Sequence, residues 1–173
     1  ASLVSATDET DPPNPTVTCV PPSGSIFPVG DTTVNCSATD TAGNTGTNSF
    51  TITVRDTTPP IVTVPANMIE EATSAAGAVV TYPAATATDT VDPLTPAVTC
   101  VAPSGSTFPL GVNTVNCSAT DTAGNTGTNS FTITVRDTTD PILTVPANMT
   151  VEATSAAGRV VSFSATATDT VDP

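Results

Sequence analysis

The side chains able to do chemistry in this 173-residue chain are few, and their spacing repeats. Four cysteines form two pairs with the same separation, Cys19 with Cys36 and Cys100 with Cys117. Oxidised, such pairs staple a chain; left reduced, they would be small buried hydrophobes. Zinc is disfavoured, because His is absent and no C-x-x-C occurs. Asp56, Asp89, Asp92 and Asp121, together with Asn125, offer hard oxygen ligands of the kind Ca²⁺ takes. Their spacing is not that of an EF-hand loop. A competing reading gives D-T-A-G-N at Asp121–Asn125 a purely local role, with Asp and Asn bonding their own turn while Gly takes positive φ. Asn35-Cys-Ser, Asn116-Cys-Ser and Asn148-Met-Thr fit the N-glycosylation pattern. Catalysis finds no foothold. Without His the serines lack their usual base, and a paired-carboxylate hydrolase would need a constellation present in one loop set only.

The elements that carry these residues read as strands. Net charge is −13, with 16 acidic residues against 3 basic, which repels nucleic-acid phosphates and anionic lipid surfaces. No apolar run is long enough to span a bilayer as a helix. Seventeen Pro and a Thr/Val-rich remainder disfavour helix and suit pleated strands. The segment beginning at Cys19 returns at Cys100, an offset of 81 residues, and carries VPANMIEEATSAAG (Val64–Gly77) onto VPANMTVEATSAAG (Val145–Gly158). The pattern D-x-x-D-P at Asp8–Pro12 matches Asp89–Pro93. Within a repeat the period is two. Phe131, Ile133 and Val135 alternate with Thr132 and Thr134, and Val115, Cys117 and Ala119 alternate with Asn116, Ser118 and Thr120. Thr51, Thr53, Thr132 and Thr134, with Thr86 and Thr88, then form outward rows that serve as strand formers. Strands are expected near 60–65, 68–73, 78–84, 96–101, 106–108, 113–120 and 128–136. Seven short strands in one period indicate an all-β protein of tandem immunoglobulin-like (fibronectin type III-like) β-sandwiches. A β-solenoid would need a much shorter period.

The succession DTTPPIVTVPAN, VTYPAATATD, VTCVAPSGSTFPLGVNTVNCSATDTAGN and SFTITV resembles the hyalin repeat (HYR) module. G-S-x-F-P-x-G and A-T-D-x-A-G-N occur together and in order, and the resemblance covers essentially the whole chain. It departs from the family where Cys36 and Cys117 replace a frequent aromatic, and where Asn48 and Asn129 stand in place of a frequent Cys. In family register, 1–55 is the C-terminal part of one module, 56–136 a complete module and 137–173 the N-terminal part of a third. The resemblance implies extracellular adhesion or matrix roles, and supplies no catalytic residue.

In such a sandwich each cysteine pair falls on neighbouring strands with both thiols inward, so bridges Cys19–Cys36 and Cys100–Cys117 are expected. Asp56, Asp89, Asp92, Asp121 and Asn125 would meet at the N-terminal pole, where Ca²⁺ would stiffen the link between modules. Two functions follow. One is a stiff fibre or surface stalk, favoured by the identical D-T-A-G-N-T-G-T-N-S-F loop in both copies and by Pro59–Pro60 in the link. The other is an adhesin binding surface glycans or proteins through loops at one pole. Neighbouring copies of the repeat are the expected partners, joined through a continuous chain or by strand donation.

Overall fold

The structure, a computed structural model, describes residues 4–9, 14–92 and 94–172. Asp11, Pro12 and Pro93 of the D-x-x-D-P motifs lie outside the described residues, as does Pro173. Every regular element among the described residues is a strand. The chain divides into two compact units, Ala1–Thr57 and Thr58–Pro173.

The first unit holds β1 (Thr18–Val20), β2 (Gly30–Thr39) and β3 (Thr45–Val54), in one antiparallel sheet ordered β1-β2-β3. The second begins with β4 (Ile61–Thr63), β5 (Met68–Glu71), β6 (Ala78–Val80) and β7 (Thr86–Thr88). It continues through β8 (Val98–Val101), β9 (Ser106–Phe108), β10 (Gly111–Thr120) and β11 (Thr126–Arg136), and ends with β12 (Ile142–Thr144) and β13 (Thr166–Thr168). One sheet runs β5-β11-β10-β8, with β5 parallel to β11 and the other pairings antiparallel. The pairs β4-β7 and β6-β9 supply the strands of the other layer, and β12 pairs with β13. The seven expected strand regions are all occupied. The expected strand at 78–84 stops at Val80, and a further strand forms at Thr86–Thr88.

Alternation decides what is buried. Val115, Cys117 and Ala119 of β10 and Phe131, Ile133 and Val135 of β11 form one cluster with Val62, Ala78, Val80, Tyr82, Ala87 and Phe108 from the facing layer. Tyr82 meets Phe131 edge to face at 5.0 Å between ring centroids, the arrangement favoured by the ring quadrupoles. The buried Tyr82 hydroxyl donates to the Ala102 carbonyl. Close backbone approach requires glycine at two points. A Cβ on Gly127 would lie 1.8 Å from the Pro60 carbonyl oxygen, and one on Gly77 would lie 1.9 Å from that of Phe108. Gly77 also has φ +105°, a region costly for other residues.

Candidate functional site

The cysteines occupy directly opposed positions, Cys19 with Cys36 across β1 and β2, and Cys100 with Cys117 across β8 and β10. Both pairs are disulfides, with Cα atoms 4.0 Å apart in each. Each closes a loop with a sequence separation of 17, a length for which chain entropy in the unfolded state gives about 3 kcal/mol of stabilisation.

The loops at the N-terminal pole of the complete repeat spend most of their polar atoms on one another. Asp121 lies in the turn after β10. Its Oδ1 accepts the Asn125 amide at 2.7 Å and its Oδ2 accepts Asn125 Nδ2 at 2.8 Å. Gly124, at φ 92°, lets the chain reverse between them. Burial alone would raise the Asp121 carboxyl, but hydrogen bonds from the Asn125 side chain and backbone, Gly124 and Ala123 hold it below its ordinary range. Asn125 is thus the partner of Asp121. The first unit repeats the device with Asp40 and Asn44, at 2.7 and 2.8 Å.

Asp92 reaches across to the same turn, where its carboxylate accepts the Thr122 amide at 3.0 Å and the Thr122 hydroxyl. Asp89 Oδ1 accepts the amides of Val91 at 2.8 Å and Asp92 at 3.2 Å. Asp89 Oδ2 is buried with no hydrogen-bond partner among the described residues. One carboxylate oxygen of Asp89 and one of Asp121 lie within 4.8 Å of each other. Asp56 is half-buried two residues beyond β3, in the first unit. Asp89, Asp92, Asp121 and Asn125 therefore share one pole, and of these four Asp89 keeps a buried oxygen with no hydrogen-bond partner among the described residues.

The glycosylation candidates are all exposed. Asn35 and Asn116 sit mid-strand on β2 and β10, and Asn148 lies between β12 and β13. Thr51, Thr53, Thr86 and Thr88 are exposed, whereas Thr132 and Thr134 are half-buried, because β5 pairs along that edge of β11.

Two functional positions escape the motif reading. Asn129, where relatives of the repeat often have Cys, donates through Nδ2 to the Val62 carbonyl at 2.8 Å and ties β11 to β4. Glu71 accepts hydrogen bonds from the link after the complete repeat, from Thr138 N at 2.8 Å, Thr138 Oγ1 at 2.7 Å and Thr139 Oγ1 at 3.0 Å. The sequence held a signal for it. Glu71 returns as Glu152, while its neighbour Glu70 is replaced by Val151.

These features define a disulfide-pinned β-sandwich repeat whose polar loops are largely self-satisfied. The HYR domain model matches residues 3–54 and again 55–135, and the chain belongs to the HYR domain family. It is 40% identical over 134 residues to hyalin of Lytechinus variegatus, covering 71% of this chain and 24% of that protein. It is 39% identical over 135 residues to hyalin of Strongylocentrotus purpuratus, covering 73% of this chain and 11% of that protein. The matched stretch is therefore a minor part of either relative. Among solved structures, a protocadherin gammaB7 EC3-6 cis-dimer aligns over 80% of this chain and 43% of its own, at 15% identity and a TM-score of 0.35.

Proposed function

We propose that the chain is a length of an extracellular structural or adhesive protein, in which sandwiches joined in series act as a stiff, non-catalytic spacer in a fibre or surface stalk. The observation that carries this reading is how the repeated loop uses its polar groups. D-T-A-G-N is identical in both copies, and in both its carboxylate and amide bond each other. A loop committed to its own turn suits a spacer better than a recognition surface. Disulfides favour an oxidising, extracellular setting. Neighbouring copies of the repeat are the partners, through a continuous chain or a donated strand. Electron microscopy of native material tests the reading. Continuous thin filaments or stalks support it, and discrete compact particles overturn it.

We also propose Ca²⁺ at the acidic pole of the complete repeat, with Asp89 and Asp121 as ligands. The buried Asp89 Oδ2 and its nearness to a second carboxylate favour it. An ion bound only to the native state raises the melting temperature by mass action. Equal melting in millimolar Ca²⁺ and in chelator would leave those carboxylates with turn roles alone.

A further inference from the structure

Asp169 opens the turn after β13 and repeats the geometry of Asp89. Its Oδ1 accepts the amides of Val171 at 2.7 Å and Asp172 at 3.2 Å. The turn presents Val171, and here the two copies part. Val91 is 43% exposed, but Val171 is 3% exposed and belongs to the buried cluster that includes Ala72, Ala78, Phe108 and Val135. A valine of the following repeat is thus part of the hydrophobic core of the repeat before it. The link between them is held by a second, polar contact. β5 runs parallel to the end of β11, with Glu71 opposite Arg136 and the Ala72 amide donating to the Arg136 carbonyl at 2.7 Å. This register sets the Glu71 carboxylate against Thr138 and Thr139, where its two oxygens accept three hydrogen bonds. The Asp137 carboxylate accepts the Thr139 amide at 3.1 Å and closes the bend.

We propose that consecutive repeats are seated on one another by a two-part joint, with Val171 plugging the core of the preceding repeat and Glu71 clamping the Thr138–Thr139 link. Each part matches its task. The plug is apolar and non-directional, so it holds the repeats together without fixing their rotation. The clamp is charge-assisted and directional, so it fixes the link's path. The clamp's components recur along the sequence, as Thr57–Thr58 and Thr138–Thr139, and Glu71 and Glu152, whereas the plug is seen at Val171 and not at Val91. The proposal deepens the spacer reading by naming what would make the spacer stiff. Its test uses the isolated chain, so a loose joint here would leave the filament experiment to decide the wider reading separately.

Amide hydrogen exchange on the 173-residue chain provides the test. Val171→Asp should speed exchange at Thr138 and along β5 by about tenfold, and Glu71→Gln should do so at Thr138 alone. Val91→Asp, at an exposed counterpart, should leave both within about twofold. If Val171→Asp unfolds the repeat, Val171→Ala gives the same direction with a smaller change. The proposal is overturned if the Val171 variants behave like Val91→Asp, or if Glu71→Gln leaves the Thr138 amide as protected as before. A second readout separates the clamp from general loosening. Hydrogen bonds from the Thr138 amide and hydroxyl, then from Thr139, hold the Glu71 carboxyl below its ordinary value of 4.5. The charged groups on the elements around it are Glu70, Arg136, Asp137 and Asp140. The Thr138 amide resonance should follow the Glu71 charge in the wild-type chain, and Glu71→Gln should abolish that dependence. Persistence of the full titration in the Gln variant counts against the clamp.

Discussion

Residues 19–54 and 100–135 carry nearly the same sequence, yet one copy buries a whole face of its sheet and the other leaves part of the matching face exposed. In the second unit Phe131 is 3% exposed; in the first, its counterpart Phe50 is 45% exposed. The disulfide, the register of the long hairpin and the Asp–Asn turn are the same in both. What differs is the facing layer, for the described residues of the first unit include no counterpart of β4, β5 or β6. The hairpin and its staple are thus local products of the sequence. Burial comes from elsewhere in the 81-residue period.

The widest gap between the copies should be in core truncation. Phe131→Ala removes a buried ring from between Tyr82 and its neighbours, and should cost about 3–5 kcal/mol. Phe50→Ala in the same chain should cost at most about 1–2 kcal/mol, because half of that ring's surface is already wet. Denaturant unfolding followed by hydrogen exchange in each repeat separates the two. Equal losses would mean that the first hairpin acquires a cover in solution.

Glycine gives a smaller effect and a change of sign. Gly127→Ala places a methyl against the Pro60 carbonyl and must push β4 off β11, at about 1–3 kcal/mol. Gly46→Ala meets nothing within 4 Å, and replacing a strand glycine with alanine there should stabilise by about 0.5–1 kcal/mol. Thermal melting of the two variants checks it. Destabilisation at both positions would show that backbone conformation, and not the facing layer, imposes the glycine.

How much of this was legible depended on the range of the interaction. Strict alternation in Val115–Ala119 and Phe131–Val135 marks the buried face, and inward parity of Cys100 and Cys117 marks the bridge, because both follow from the pleat of adjacent strands. D-T-A-G-N announces its turn for the same local reason. The sequence left Asn125 open between cation ligand and turn partner of Asp121, since both roles use the same amide. Nor could spacing reveal Glu71 or Val171. Each acts across a joint on residues more than sixty positions away in the case of Glu71, or in the core of the preceding repeat in the case of Val171. Only the unequal fates of Glu70 and Glu71 between copies hinted at the clamp.

The smallest predicted effect concerns acid, and here the copies should agree. The Asn44 side chain and then the Asn44, Ala42 and Gly43 amides hold Asp40 below the ordinary 3.8, as their counterparts outweigh burial to hold Asp121 below it. A carboxyl whose folded pKa is depressed binds its proton more readily in the unfolded chain. Its contribution to stability is therefore complete above 3.8 and is lost as pH falls through the lower folded value. Both turns should keep their Asn44 and Asn125 amides protected at neutral pH and release them only in acid below 3.8. Asp40→Asn and Asp121→Asn should each remove that pH dependence at its own turn and leave the other untouched.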